Sequence, residues 1–431
     1  MRGVKVLALV ASASIGVAGL AAPSAMAAPS SQSVVSASTA DDAKLKKLYD
    51  KLVALMPADA KARQQAARAK VDIHLSPQQE AALGLMERMS KDRAALKSKG
   101  ASRTAIEAID PTDYDCGPTK LQAQVQGLLT GVNQWTMLSL TFSRILEYAT
   151  YDALYYATPK DADYDLRTSA GPLNTSFEQS KRFWDVPLND VKLFGMKKNI
   201  FADLNRLTQA VQATLGVGPA DAAEIAKVTQ ATIQADPALN GGDHPIFTLG
   251  AFAFSGEGEA DPTLRRISDR VIVGEGMLSV LVGSGNGRVG PQAVVAHEMA
   301  HHVQYEIGSF DSPDKGTAEG TRRTELMADG FASYFGAHKK GMNATPSKVL
   351  EFQRTFHLVG DCSFTSGGHH GTPNQRRAAS AWGAATAAYA KDPNRIKSAK
   401  ATETAFTKVL PELVAPDAPV TAKAYRSKVA P

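Results

Sequence analysis

Two histidines four residues apart are the strongest chemical signal in this chain. His297 and His301 belong to an HExxH segment, and Glu298 follows the first of them. Positions i and i+4 share one face of an α-helix, so both imidazoles can reach one metal ion while Glu298 lies beside it. A later ELMAD segment supplies Glu325 and Asp329. Two imidazoles and one carboxylate leave a fourth position open, as in catalytic zinc sites, so the sequence predicts a zinc hydrolase.

The spacing alone does not decide which carboxylate is the third ligand. Asp329 lies one helical turn after Glu325 and faces the same way, so either residue could bind the metal. If Glu325 does, Asp329 could accept a hydrogen bond from the free ring N–H of His297 or His301, or lie on the surface. His302 points about 100° away from His301 around the helix, so we expect it to be hydrogen-bonded or exposed rather than a fourth ligand.

A second cluster follows near the end of the presumed catalytic region. His370 and Arg376 are candidates for stabilising the oxyanion of a tetrahedral intermediate, because both can place positive charge or an N–H donor beside it. The same segment also has the form of a loop that leads into a helix, with Thr372 as the N-cap and Pro373 at the first helical position. Both interpretations can hold together.

Three segments occur in an order that resembles the bacterial neutral zinc metallopeptidases. That family has an HExxHHxQ helix, an ELxAD helix and a later HGTxxQR segment, which this chain matches at 297–304, 325–329 and 370–376. The resemblance covers about 245–385. Met299 and Ala300 replace an aromatic–Gly pair that is often found in the first motif, and this departure leaves every ligand position in place.

The resemblance implies a zincin-like domain in which one zinc ion is bound by His297, His301 and Glu325. It also implies that Asp329 takes the position behind the ligands that an aspartate has in thermolysin-like enzymes. Glu298, next to the first ligand, is expected to act as general base and later to pass the proton to the leaving amine.

Composition and charge give little reason to expect a nucleic-acid partner. The 431 residues carry a net charge of +5, and the lysines and arginines are spread along the chain rather than gathered with aromatic residues. The length is compatible with two or three domains, and a hydrophobic content of 44% is ordinary for a globular protein.

The N-terminus has the pattern of a secretion signal. Arg2 and Lys5 precede an apolar stretch, and Ala25-Met26-Ala27 provides a small-residue cleavage site. No other run of about eighteen apolar residues occurs, so we expect a secreted protein with no membrane association after signal removal. The only two cysteines, Cys116 and Cys362, are then expected to form a disulfide in an oxidising compartment.

The overall fold class predicted from these patterns is α+β and mainly helical. We expect a zincin-like metallopeptidase domain with a small sheet beside the HExxH helix, preceded by a helical N-terminal region. The predicted divisions are a signal peptide (1–27), a helical N-terminal region or propeptide (28–115), a helical domain (116–240), the zinc metallopeptidase domain (241–391), and a C-terminal helix and tail (392–431).

The positions of individual elements are predicted from periodicity and from residues that begin or end them. Helices are expected from Asp41, from Ser76 to about Gly100, over 118–157 and over about 189–235. The metal helix is expected between Gly290-Pro291 and Gly308, and the next helix over about 319–338. Strands are expected at 246–249, 251–254 and 270–273, one of which could bind the substrate backbone by strand addition.

The function predicted from the sequence is therefore an exported zinc metallopeptidase acting on a peptide or protein substrate. Two alternatives stay open. One is a hydrolase of another amide, such as a cell-wall peptide link, and the other is a non-catalytic secreted binding protein that keeps zinc for stability. The sequence does not give the oligomeric state, and a propeptide within 28–110 could keep the enzyme latent.

Overall fold

The computed structural model describes residues 39–60, 114, 119–166, 170–259, 261–315, 317–362, 364 and 368–429. It is mainly helical with one small sheet, which confirms the predicted α+β class. The predicted signal peptide, the helix at 76–100 and Cys116 lie outside the described residues, so these and the disulfide with Cys362 stay predictions.

The α-helices of the described residues are named here in chain order. They are α1 (Thr39–Leu55), α2 (Lys120–Leu128), α3 (Gln134–Phe142), α4 (Tyr148–Tyr156), α5 (Ala170–Phe183), α6 (Leu204–Leu215), α7 (Pro219–Ala235), α8 (Pro262–Arg265), α9 (Glu275–Gly283), α10 (Gly290–Glu306), α11 (Ala318–Ala337), α12 (Pro346–Leu358), α13 (Pro373–Ala388), α14 (Ala399–Leu413) and α15 (Arg426–Val429). Short 3₁₀ turns connect several of them, and none of the described helices has the length and apolar character needed to span a bilayer.

The small sheet has the strand order β1–β3–β2, where β1 is Lys192–Gly195, β2 is Ala251–Phe254 and β3 is Arg270–Val273. β1 runs parallel to β3 and β2 runs antiparallel to it. The strands predicted at 251–254 and 270–273 are thus confirmed. β2 is an outer strand of the sheet and packs against α10.

Three predictions of local structure are wrong. Residues 246–249 are not a strand, because Pro245–Thr248 forms a 3₁₀ turn capped by the His244 side chain. The stretch 118–157 is not one helix, because Gly131 and Arg144 adopt left-handed backbone conformations that end one helix before the next begins. The region 189–235 is not helical throughout, because β1 pairs with β3 there.

The two helices that carry the HExxH and ELMAD segments form the centre of the fold. α10 begins with Pro291 in its first turn and ends before Gly308, whose φ of 70° is left-handed, as predicted. α11 packs along α10 and α13. α11 and α13 approach closely where Gly330 meets Gly383, since a Cβ at Gly383 would lie 2.0 Å from the Gly330 carbonyl oxygen.

The first described helix belongs to the same hydrophobic core as the metal helix. Tyr49, Leu52 and Met56 are fully buried and lie in the core cluster that contains the buried apolar face of α10. α1 packs on α7 and α3, and the Asp42 carboxylate accepts hydrogen bonds from the side chains of Asn133 and Trp135. α1 is therefore an integral layer of the described structure.

Candidate metal centre

Three side chains converge on one point between α10 and α11. The Nε2 atoms of His297 and His301 lie 3.1 Å apart, and the Glu325 carboxylate lies 3.2 Å from the first and 3.4 Å from the second. Ligand atoms around a tetrahedral zinc ion with bonds of about 2.0–2.1 Å are separated by about 3.3 Å. His297, His301 and Glu325 thus form a buried group that could hold a metal ion.

Helical geometry explains why the two imidazoles meet. His297 and His301 project from the same face of α10, and their rings stand nearly perpendicular with centroids 4.7 Å apart. Glu325 reaches the same point from α11, where its side chain is completely buried. Buried imidazole and carboxylate groups with no bulk water are costly unless they are paired or bind a cation.

Hydrogen bonds at the other ring nitrogens hold both imidazoles in the orientation that metal binding requires. His297 Nδ1 lies 2.9 Å from an Asp329 carboxylate oxygen, and His301 Nδ1 lies 2.8 Å from Gln304 Oε1. The Gln304 amide in turn donates to the Thr324 carbonyl, which fixes its oxygen toward His301. Each Nδ1–H therefore donates outward, and each Nε2 lone pair faces the common point.

Asp329 lies on the far side of His297 from the metal-binding point. The Arg376 guanidinium donates to both of its carboxylate oxygens, each at 2.8 Å. The group that converges on the metal point includes Glu325 and not Asp329. Burial lowers the pKa of Arg376, but the contacts with Asp329 outweigh this effect and raise it above its ordinary value.

The charges of the group also fit a cation. Burial lowers the pKa of His297, but the hydrogen bonds with Asp329 and Glu325 outweigh it and raise the pKa to about 10. Burial raises the pKa of Glu325, but the positive charges of His370 and His301 hold it well below its ordinary value. An ionised Glu325 carboxylate therefore faces the two imidazoles, and a divalent cation at this point would balance its charge.

Glu298 lies on α10 beside the three ligands. Its side chain is 3% exposed, and its Oε2 atom is buried with no hydrogen-bond partner among the described residues. Burial raises the pKa of Glu298, whereas His297 and His301 lower it. An unpaired buried carboxylate oxygen is costly, so this atom requires an explanation from function.

His370 lies near Glu325, and Asp361 holds it there. One Asp361 oxygen accepts from the His370 backbone N–H at 2.8 Å and lies 3.1 Å from its ring Nδ1, while the other lies 2.7 Å from His369 Nδ1. Burial lowers the pKa of His370, but Glu325 and Asp361 outweigh it and raise the pKa above its ordinary value. The Thr372 side chain caps α13 as predicted, with Pro373 at its first position.

The structure brings together the residues that the sequence predicted, with one difference in direction. His297, His301 and Glu325 converge on the metal point with Glu298 beside them, whereas the Arg376 guanidinium binds Asp329 and lies 3.6 Å from one Glu325 oxygen. His302 is buried and lies 3.1 Å from the Arg270 carbonyl oxygen, which links α10 to β3.

Sequence reasoning missed two supporting residues, Gln304 and Asp361. Gln304 lies three residues after His301, so the i+3 spacing on a helix could have identified it as a partner of that ring. Asp361 precedes α13 in a loop, where no periodic pattern predicts which side chains meet.

Comparisons with known proteins do not place this chain in a family. No protein-family model, no curated protein and no solved structure gave a match. The resemblance described above therefore rests on the three motifs and on their order.

Proposed function

We propose that this chain is a zinc-dependent peptidase with a zincin-like catalytic domain, exported by its N-terminal signal. The observation that carries the proposal is the convergence of His297, His301 and Glu325 beside the unpaired carboxylate of Glu298. Two imidazoles, one carboxylate and a free general base are the components of a hydrolytic zinc site.

The donor set favours zinc with one open coordination position. Among the described residues, no fourth side chain joins the three that converge. A structural zinc site normally closes its fourth position with protein, so this arrangement supports catalysis over stabilisation alone. Bound here, zinc would lower the pKa of a water molecule to about 7 and polarise a substrate carbonyl.

Glu298 is the residue assigned to proton transfer. Its burial raises the pKa, which brings the carboxylate closer to the value suited to a general base near neutral pH. The unpaired Oε2 atom can accept the proton of the attacking water and then deliver it to the leaving amine. Both steps use one carboxylate that the α10 backbone holds in place.

His370 is assigned to stabilising the charge that develops on the substrate carbonyl oxygen. Asp361 holds its Nδ1, which leaves the Nε2–H as the donor available for a substrate oxygen. Arg376 was the other candidate for this role. Its two short hydrogen bonds to Asp329 favour a positioning role instead, in which it fixes the acceptor of His297.

The test of the proposal is cleavage of a diverse peptide mixture, with products identified by mass spectrometry. We expect the parent to generate new termini and Glu298→Gln to retain one zinc ion per chain while losing activity by a factor of about 10² or more. Glu224→Gln is a matched control, because Glu224 lies on α7 away from the metal centre and its half-exposed side chain pairs with Lys227.

Three other results would change the proposal. Peptide cleavage by zinc-loaded Glu298→Gln at the parent rate would refute the role of Glu298. Release of products from purified cell wall, with no cleavage of ordinary peptides, would replace the peptidase by a hydrolase of another amide. Unfolding on zinc removal, with no turnover of any substrate, would favour a binding protein.

Export is tested separately by sequencing the N-terminus of secreted protein. We expect it to begin near Ala28, after the small-residue site at Ala25-Met26-Ala27. Secreted protein that begins at Met1 would refute the proposed signal peptide.

A further inference from the structure

Two aromatic rings form a wall beside the second histidine of the metal centre. The Phe310 ring lies 6.1 Å from the His301 ring and 4.6 Å from the Tyr305 ring, measured between centroids. Both aromatic side chains are only half-buried, in contrast to the enclosed ligands. The metal centre therefore has a half-buried aromatic surface next to it.

The position of Tyr305 follows from the helix. It lies one turn after His301 and two turns after Glu298, within about 40° of each around the α10 axis. Its side chain is thus on the same face as the ligand and the proposed base. A peptide residue spans about 3.3–3.6 Å, so a substrate whose carbonyl lies at the metal has its next side chain within reach of these rings.

Phe310 is held by a turn that is anchored at every polar atom of Ser309. Gly308 ends α10 in the left-handed conformation and reverses the chain direction. The Ser309 N–H donates to the Gln304 carbonyl, its hydroxyl bonds Glu403, and its carbonyl accepts from Arg323. The wall is therefore formed before a substrate arrives, which lowers the entropic cost of binding.

Carboxylates lie near the Tyr305 end of this wall. Burial raises the pKa of the Tyr305 phenol, and the negative charges of Asp269 and Glu259 raise it further, together with Glu298 and Glu325 at the metal centre. Asp269 also lies 3.3 Å from His302, whose ring is 5.7 Å from that of Tyr305. Three other polar side chains lie nearby: His302 beside Asp269, Lys315, which acts on Glu259 and pairs with Asp311, and Arg265, whose Nε donates to the Glu259 carbonyl at 2.9 Å.

We propose that Tyr305 and Phe310 form a substrate subsite that selects a lysine or arginine side chain next to the scissile bond. The aliphatic stem lies on the two rings, where the cation also gains cation–π attraction. The charged end meets the carboxylates of Glu259 and Asp269. The same charges oppose an acidic side chain, so the subsite discriminates by repulsion as well as attraction.

This inference rests on the proposed function, and its test separates the two by measuring binding instead of turnover. The zinc-loaded parent protein is titrated calorimetrically with three acetylated amino-acid hydroxamates, those of lysine, norleucine and glutamate. A hydroxamate binds zinc directly, and norleucine reproduces the lysine stem without its charge. We expect lysine to bind about 10-fold more tightly than norleucine and glutamate to bind most weakly.

Variants then assign the preference to the subsite. Phe310→Ala should weaken lysine hydroxamate binding by about 2- to 30-fold, the range of a cation–π contact. Glu259→Gln keeps the size of the side chain and should reduce the ratio of lysine to norleucine affinity while leaving norleucine binding unchanged. Glu259→Gln keeps the test valid if removal of the Phe310 ring disturbs the turn.

Each outcome identifies what has failed. Norleucine binding as tightly as lysine, or a ratio unaffected by both variants, would overturn the subsite inference and leave the peptidase proposal in place. If none of the three hydroxamates binds the zinc-loaded protein, the metal centre is not accessible to a substrate, and both proposals are refuted.

Discussion

Replacing Asp329 by asparagine tests how the protein supports its metal ligands. The Asp329 carboxylate is completely buried, accepts from His297 Nδ1 and receives two hydrogen bonds from Arg376. Asparagine has the same shape but no charge, and its amide nitrogen cannot accept a hydrogen bond. The variant thus deprives the buried Arg376 guanidinium of its closest counter-charge, leaving only the Glu325 oxygen 3.6 Å away as an ion-pair partner among the described residues, and weakens the support of one ligand.

The expected magnitudes follow from these contacts. Removing one partner of a buried ion pair costs about 3–5 kcal/mol of stability, because the remaining charge is uncompensated. Loss of the carboxylate behind a ligand histidine typically lowers metal affinity by about 10- to 100-fold. The double variant Asp329→Asn with Arg376→Met removes the unpaired charge, so it should recover part of the stability but none of the metal affinity.

The assay combines denaturant unfolding of the zinc-free proteins with competition for zinc against a chelator of known affinity. Recovery of stability without recovery of zinc affinity would show that the two effects are separate. Parent-like zinc affinity in Asp329→Asn would refute the assigned role of Asp329. A double variant less stable than Asp329→Asn would refute the unpaired-charge argument.

The remaining predictions concern stability away from the metal. Burial raises the pKa of Asp152 from its ordinary value of 3.8 to about 6, although the Tyr164 hydroxyl and Arg206 oppose the rise. The folded state therefore binds the extra proton, and this stabilisation of about 3 kcal/mol is present below pH 4 and lost as the pH rises through 6. Asp152→Asn should remove this pH dependence of the free energy of unfolding, measured by denaturant unfolding between pH 4 and 7. If the free energies of parent and variant change with pH in the same way, the assignment to Asp152 is wrong. Asp42→Ala removes the hydrogen bonds from Asn133 and Trp135 to α1, so it should lower the free energy of unfolding by about 1–2 kcal/mol. A thermal melt superimposable on that of the parent would show that these bonds do not hold α1.

The part of the site that could be predicted from the sequence is the part set by helical geometry. His297, Glu298 and His301 meet because their spacing is local to α10, and Glu325 required only that a second helix lie alongside. Asp361 could not be predicted, because a loop brings it to His370. The direction of Arg376 could not be predicted either, since it depends on the close approach of α11 and α13 at Gly330 and Gly383.

The errors in the fold have a similar physical origin. β1 is four residues long and is a strand because it pairs with β3, a partner distant in the chain. Residues 246–249 are a short apolar run, which fits a buried strand or a turn of helix equally well. The break at Arg144 depends on a left-handed conformation of a residue other than glycine, which no local pattern predicts.

The most direct test of the metal centre is X-ray diffraction from crystals of the zinc-loaded protein, measured on both sides of the zinc absorption edge. We predict one anomalous peak within about 2.0–2.2 Å of His297 Nε2, His301 Nε2 and a Glu325 oxygen. We also expect a water molecule at the fourth coordination position of the zinc ion, on the side of Glu298. A peak bound by Asp329, or a fourth ligand from the protein, would contradict the central claim that this is an open hydrolytic zinc site.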